Sequence, residues 1–121
     1  MKKALIFGGS GFLGSYVSDE LMKRGFEVFI ADLYKSNYLK GDQKFTKVDI
    51  LNLEDVKKIV IDKDFVYNFS AVAELEEASN DPLKTFHVNV IGNLNILEAC
   101  KEAGNIERFV YASSAYALSN E

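Results

Sequence analysis

A chain of 121 residues, 48% hydrophobic and 26% charged, has the composition of one soluble globular domain that buries about two-thirds of its unfolded surface. A formal charge of −4 with no dominant basic stretch argues against a nucleic-acid or anionic-membrane surface, and Lys23-Arg24 and Lys57-Lys58 read as solvated helix faces. No apolar run is long enough for a signal peptide or a bilayer span, and one cysteine, Cys100, excludes an internal disulfide, so a reducing compartment, the cytoplasm, is expected.

In chain order, an apolar strand over 3–7 stops at glycine. Leu13, Val17 and Leu21 then recur with helical spacing, giving the next helix an apolar stripe that ends near Gly25. Strand two covers 27–31, a polar connection occupies 34–43 with room for one helical turn, and strand three covers 44–48. Asn52 can cap a helix, with Asp55 in a capping-box-like place and Leu53, Val56, Ile59 and Val60 on the buried face. Strand four spans 65–70 and leads into a loop over 71–81. Asp81 as N-cap and Pro82 in the first turn open a helix over 82–103, with Phe86, Val90, Leu94 and Leu97 as its stripe and Gly104 as its stop. Strand five covers 108–112. This alternation implies an α/β chain, a single domain over 1–121 with a parallel sheet and helices on both faces.

The chemistry concentrates at the strand ends. Gly8, Gly11 and Gly14 form G-x-x-G-x-x-G between strand one and the first helix. Glycine allows a tight turn and close approach of backbone N–H groups to a diphosphate, and the helix adds the positive end of its dipole. A dinucleotide fits here; a tight turn without a ligand is the alternative. Asp32 closes strand two about 20 residues further on, where a carboxylate receives the ribose hydroxyls of NAD and repels the 2′-phosphate of NADP. It could instead cap the next turn, and Lys35 beside it could soften the selectivity. Asp49 follows strand three, placed either to accept from an adenine amino group, with Ile50 packed on the base, or simply to start a turn. On its own the Ser113-Ser114 pair reads as a strand-end turn. His87 has no metal-ligand partner and reads as structural, Cys100 as a small buried apolar residue, and Glu74, Glu76 and Glu77 as a solvated acidic loop.

Taken together, several stretches resemble the front of an extended short-chain dehydrogenase/reductase of the NAD-dependent nucleotide-sugar epimerase/dehydratase group. They are Gly8-Gly9-Ser10-Gly11-Phe12-Leu13-Gly14, Asp32, Asp49-Ile50, Phe69-Ser70-Ala71-Val72-Ala73, the stretch 89–100 and Arg108-Phe109-Val110-Tyr111-Ala112-Ser113-Ser114. The chain departs from that pattern at Phe7 and Asn93, where threonine is common, and at Asn68-Phe69-Ser70-Ala71, which replaces His-Leu-Ala-Ala. It departs again at Leu118-Ser119, where Tyr-Gly is usual.

The resemblance implies a Rossmann-type doubly wound parallel sheet of order 3-2-1-4-5, with NAD as cofactor and no metal. Gly8, Gly11, Phe12, Leu13, Gly14 and Asp32 would hold its adenosine diphosphate, with Asp49 and Ile50 at the base. Phe69, Ser70, Ala71 and Ala73 would lie along the ribose and pyrophosphate, with Ser113 beside them. Asn89 would anchor the helix to strand four, and Ser114 would be the catalytic serine on the sugar hydroxyl being oxidised. The implied reaction is that of a UDP-glucose 4-epimerase-like enzyme: hydride passes from a sugar carbon of a nucleotide-sugar substrate to NAD and returns after the keto intermediate reorients. Dehydratases, decarboxylases and reductases share this front half; a non-catalytic NAD(P)-sensing protein is the alternative from another class.

The base implied for this chemistry is a tyrosine with a lysine four residues on. Tyr16, Tyr34, Tyr38, Tyr67, Tyr111 and Tyr116 are followed at that position by Glu20, Tyr38, Asp42, Ala71, Ala115 and Asn120. The pair and the substrate domain are therefore expected beyond Glu121, and the chain alone is expected to bind cofactor without turnover. Strand five would then be an apolar edge open to self-association or a homodimer.

Overall fold

Ala4, Leu5, Ile6 and Phe7 are all fully buried, a run without alternation that suits a strand covered on both faces. It is the middle strand of a five-stranded parallel sheet in a computed structural model that describes residues 1–37, 39–71 and 75–113. This strand, β1 (Lys3–Phe7), lies between β2 (Glu27–Asp32) and β4 (Phe65–Asn68). Outside β2 runs β3 (Lys44–Lys47), and outside β4 runs β5 (Arg108–Tyr111), which is the expected order 3-2-1-4-5. Phe7 pairs with Ala31 on one side and Asn68 on the other, so the central strands finish level where the glycines begin.

Helix α1 (Phe12–Lys23) covers one face, with Leu21 against Ala4, Ile6, Val28 and Ile30. On the other face, α2 (Leu53–Val60) brings Val56 and Val60 onto Leu5, Phe7 and Val66. Asn52 caps α2 by accepting from the Asp55 amide at 3.2 Å, as the spacing predicts. A short helix, α3 (Leu75–Asn80), occupies part of the expected loop. The long helix after it starts as α4 (Pro82–Phe86), where the Asp81 carboxylate accepts from the Lys84 amide at 3.1 Å. It then widens into a π-helical turn over His87–Gly92 and continues as α5 (Asn93–Ala103), stopping at Gly104 with φ +75°. No described helix is long and apolar enough to cross a membrane.

The strand ends shift by a residue or two. β2 runs on to Asp32, while β3, β4 and β5 stop at Lys47, Asn68 and Tyr111. β4 ends early because Asn68 Oδ1 accepts the Ser70 amide at 2.9 Å, turning the chain away once Phe69 N has bonded to Phe7 O at 2.8 Å.

Both expected apolar stripes are corrected. In α1, Leu13 is 48% exposed and Val17 half-buried; Gly14, Ser18 and Leu21 face the sheet. The helix sits so close to the preceding turn that a Cβ at position 14 would run into the Gly8 carbonyl and stand 2.7 Å from Gly9 Cα. Ser18 is tolerated there because its hydroxyl donates to Gly14 O at 2.7 Å. In the long helix, Phe86, Val90, Leu94 and Leu97 point outward at 38–53% exposure, while Gly92, Ile96 and Ala99 turn inward. Close approach again selects small residues, since a Cβ on Gly92 would lie 2.7 Å from Ile50 Cγ1.

Candidate dinucleotide-binding site

The C-terminal ends of β1, β2, β4 and β5 share one edge of the sheet, and the chain leaves β1 between neighbours that run to opposite sides. Open parallel sheets bind ligands at such a reversal. Gly8 stands there with φ +77°, and any Cβ would lie 2.6 Å from Phe69 C and 2.7 Å from Ser70 N. The turn closes through Gly8 N to Ala31 O at 2.9 Å and Gly11 N to Gly8 O at 3.1 Å. Gly11 then precedes α1 in an extended conformation and brings no side-chain acceptor to the first helical amides. Those donors and the helix dipole face the crevice beside Phe12, 83% exposed, and Leu13.

Asp32 is built into this turn. Its Oδ2 accepts from Ser10 N at 3.1 Å and its Oδ1 from Leu33 N at 2.7 Å. A carboxylate has about four acceptor positions, so two amides orient it and leave capacity on both oxygens. Ser10 also accepts the Ser36 amide on its hydroxyl at 3.2 Å, tying the glycine turn to the connection after β2. No local pattern in the sequence announces this role of Ser10.

The remaining expected residues are less uniform. Asp49 is exposed, and its Oδ1 accepts from Leu51 N at 2.9 Å, which is the turn-starting geometry. Ile50 is only 7% exposed and lies under Gly92, so little of its side chain is left to pack on a base. Phe69 and Ser70 are half-buried and Ala71 exposed along the far wall, and Ser113 is exposed just past β5. Ala73 and Ser114 lie outside the described residues. Asn89 sits half-buried in the π-helical turn, and Asn68 at the end of β4 donates to Asn93 of the same long helix at 2.9 Å. Asn68 and Asn93 are two of the positions at which the chain departs from the pattern it resembles, and each is the other's partner. Asn95 adds a bond from Nδ2 to Ile50 O at 2.9 Å.

His87 Nδ1 is 3.2 Å from Leu83 O, Glu77 pairs with Lys84 at 3.2 Å, and burial pushes the Cys100 thiol up to about 11. A cavity of about 540 Å³ lies along the outer face of α1, lined by Ser10, Gly11, Phe12, Ser15, Tyr16, Asp19 and Lys40. Among the described residues, Gly11 and Phe12 belong to both it and the expected site.

The model of the NAD dependent epimerase/dehydratase family matches residues 4–121. Among curated relatives, UDP-glucose 4-epimerase of Lactobacillus helveticus is 35% identical over 118 residues, which are 93% of this chain and 36% of that enzyme. UDP-glucuronic acid decarboxylase 1 of Danio rerio is 31% identical, over 94% of this chain and 28% of its own length. UDP-glucose 4-epimerase of Thermus thermophilus, solved in complex with NAD, superposes with a TM-score of 0.86 at 33% identity, covering 93% of this chain and 37% of that one. The chain thus spans about a third of the length of these relatives. A doubly wound sheet with the glycine turn at its reversal, and a match along nearly all of its length, place the chain in the NAD-dependent epimerase/dehydratase family.

Proposed function

We propose that the chain binds NAD across the ends of β1, β2 and β4, as the cofactor domain of an enzyme acting on nucleotide sugars. The Asp32 carboxylate carries this reading: two backbone amides hold it one strand away from a turn whose glycines leave the first amides of α1 open. These are the two polar ends that an adenosine diphosphate requires. The residues present fit the group, since Gly11 brings no side-chain acceptor to the first amides of α1 and Asp32 keeps acceptor capacity on both oxygens.

In this reading the amides after Gly11 and the α1 dipole hold the diphosphate, and Asp32 takes the ribose hydroxyls. Asp49 stands at the adenine end, while Ile50 supports it from within the core. Phe69, Ser70 and Ala71 run along the ribose and pyrophosphate, and Ala73, Asn89 and Ser113 are further cofactor contacts assigned from the resemblance. When bound, NAD supplies a hydride acceptor. The chain's own work is to orient the cofactor and, through Ser114, to hydrogen-bond the sugar hydroxyl. No tyrosine here has lysine at the fourth following position, so these 121 residues bind NAD without turning over a sugar.

Epimerisation is the reaction we assign to the longer enzyme, supported by the 35% identity with an epimerase. Decarboxylation or dehydration is the second reading, favoured by the 31% identity with a decarboxylase. A location in the cytoplasm and pairing of two copies along the outer edge of β5, which carries Phe109, Val110 and an exposed Tyr111, belong to the same proposal. Calorimetric titration of the chain with NAD and NADP tests it: preference for NAD is expected, equal affinity removes the role given to Asp32, and binding of neither removes the reading.

A further inference from the structure

We infer that Asn93, acting through Asn68, is a positioning residue for the crevice wall beyond the diphosphate; this rests on the reading that NAD lies across this edge. Asn68 is the last residue of β4 and is 6% exposed. Its Nδ2 donates to Asn93 Oδ1 at 2.9 Å, and its Oδ1 accepts the Ser70 amide at 2.9 Å. The two bonds set one orientation of the amide. Reversed, it would bring NH₂ against the Ser70 N–H and oxygen against the Asn93 oxygen. The Ser70 N–H, which can only donate, fixes the oxygen end of Asn68 towards it, and Asn93 anchors the other end by accepting from Nδ2.

The peptide steered in this way is the one that packs on the glycine turn, within 2.6–2.8 Å of where a Gly8 Cβ would be. A line of contact thus runs from the start of α5, through Asn68 and the Phe69–Ser70 peptide, to Gly8. Asn93 has little freedom to move along it, because Gly92 rests on Ile50 and Asn95 Nδ2 donates to Ile50 O at 2.9 Å. The pair lies on the β4 side of β1, whereas Asp32 lies on the β2 side. The Gly8 turn keeps its own bonds, from Gly8 N to Ala31 O and from Gly11 N to Gly8 O. Loosening the pair therefore frees the Phe69–Ser70 peptide and should be felt by the part of the ligand beyond the diphosphate and not by its adenosine half.

Titrating the chain with NAD and with ADP separates these cases. Asn93→Leu should weaken NAD by about three- to tenfold, the worth of one buried neutral hydrogen bond, while ADP changes by less than about twofold. Because Asn93 works only through Asn68, the double variant N68L/N93L should bind NAD no more weakly than N68L. Asn93→Thr, whose hydroxyl can accept the same bond, should keep NAD affinity within about twofold of the parent. If N93L does not fold, Asn93→Ala takes its place in the same comparison. Equal losses for NAD and ADP, additive losses in the double variant, or no change in N93L would each overturn the inference while NAD binding by the parent chain stands. A parent chain that binds ADP but not NAD, or neither, fails on the reading of function instead.

Discussion

Replacing Asp32 with asparagine keeps the shape of the side chain and removes its charge and half of its acceptors. In the parent chain Oδ2 takes the Ser10 amide at 3.1 Å and Oδ1 the Leu33 amide at 2.7 Å. Asparagine can turn its oxygen to only one of them, leaving the other N–H facing an NH₂ group. For a half-buried carboxylate this costs about 1–2 kcal/mol, or roughly 3–10 °C in melting temperature for a domain of this size. Binding divides by ligand. One ribose hydroxyl of NAD loses its acceptor, so affinity should fall about five- to tenfold. NADP should gain, since a carboxylate and a phosphate charge about 5 Å apart repel by about 3 kcal/mol at an effective dielectric of 20. Solvent reaching the half-buried Asp32 screens much of that, yet a preference for NAD of about tenfold should disappear. Calorimetry with both cofactors on both proteins, alongside thermal melts, gives the answer. A parent chain that does not discriminate, or a variant that keeps the parent's ratio, would refute the role of Asp32.

Gly14→Ala forces a methyl into the Gly8 carbonyl, so α1 must lift from the turn. A loss of about 1–3 kcal/mol in urea unfolding is expected, and unchanged stability would deny the close packing. Hydrogen bonds from Lys44 to Glu27, and from Lys63 and then Lys3 to Asp62, hold both carboxyls below their usual range. Their stabilisation is complete above the unfolded pKa of about 4 and is lost as pH falls through the lower folded values. Urea midpoints should drop on acidification through that window and drop less in E27Q/D62N; parallel curves would reject the assignment. Cys100, with its thiol raised to about 11, should react with Ellman's reagent at pH 8 far more slowly in the native chain than in the unfolded one. Sedimentation at high protein concentration should show association through the β5 edge, and a clean monomer would count against it.

Local features were legible in the amino-acid order because their causes are local. The glycine spacing marks the turn, Asn52 and Asp81 cap the helices they precede, and the unbroken apolar run 4–7 marks a strand covered on both sides. Strand–helix alternation was enough for a parallel sheet. Which face each helix buries was decided only in three dimensions. Where α1 and the long helix come closest to the sheet, the space holds Gly14, Ser18, Gly92 and Ala99, so large apolar residues such as Phe86 and Leu94 are left outside. A periodicity weighted by side-chain size reads such a face backwards. The contacts that shape the candidate site, Ser10 on Asp32 and Asn93 on Asn68, join residues that are 22 and 25 positions apart. No spacing rule pairs them, since it is the parallel order of β1, β2 and β4, with the helices laid over it, that brings those atoms within 3.1 Å.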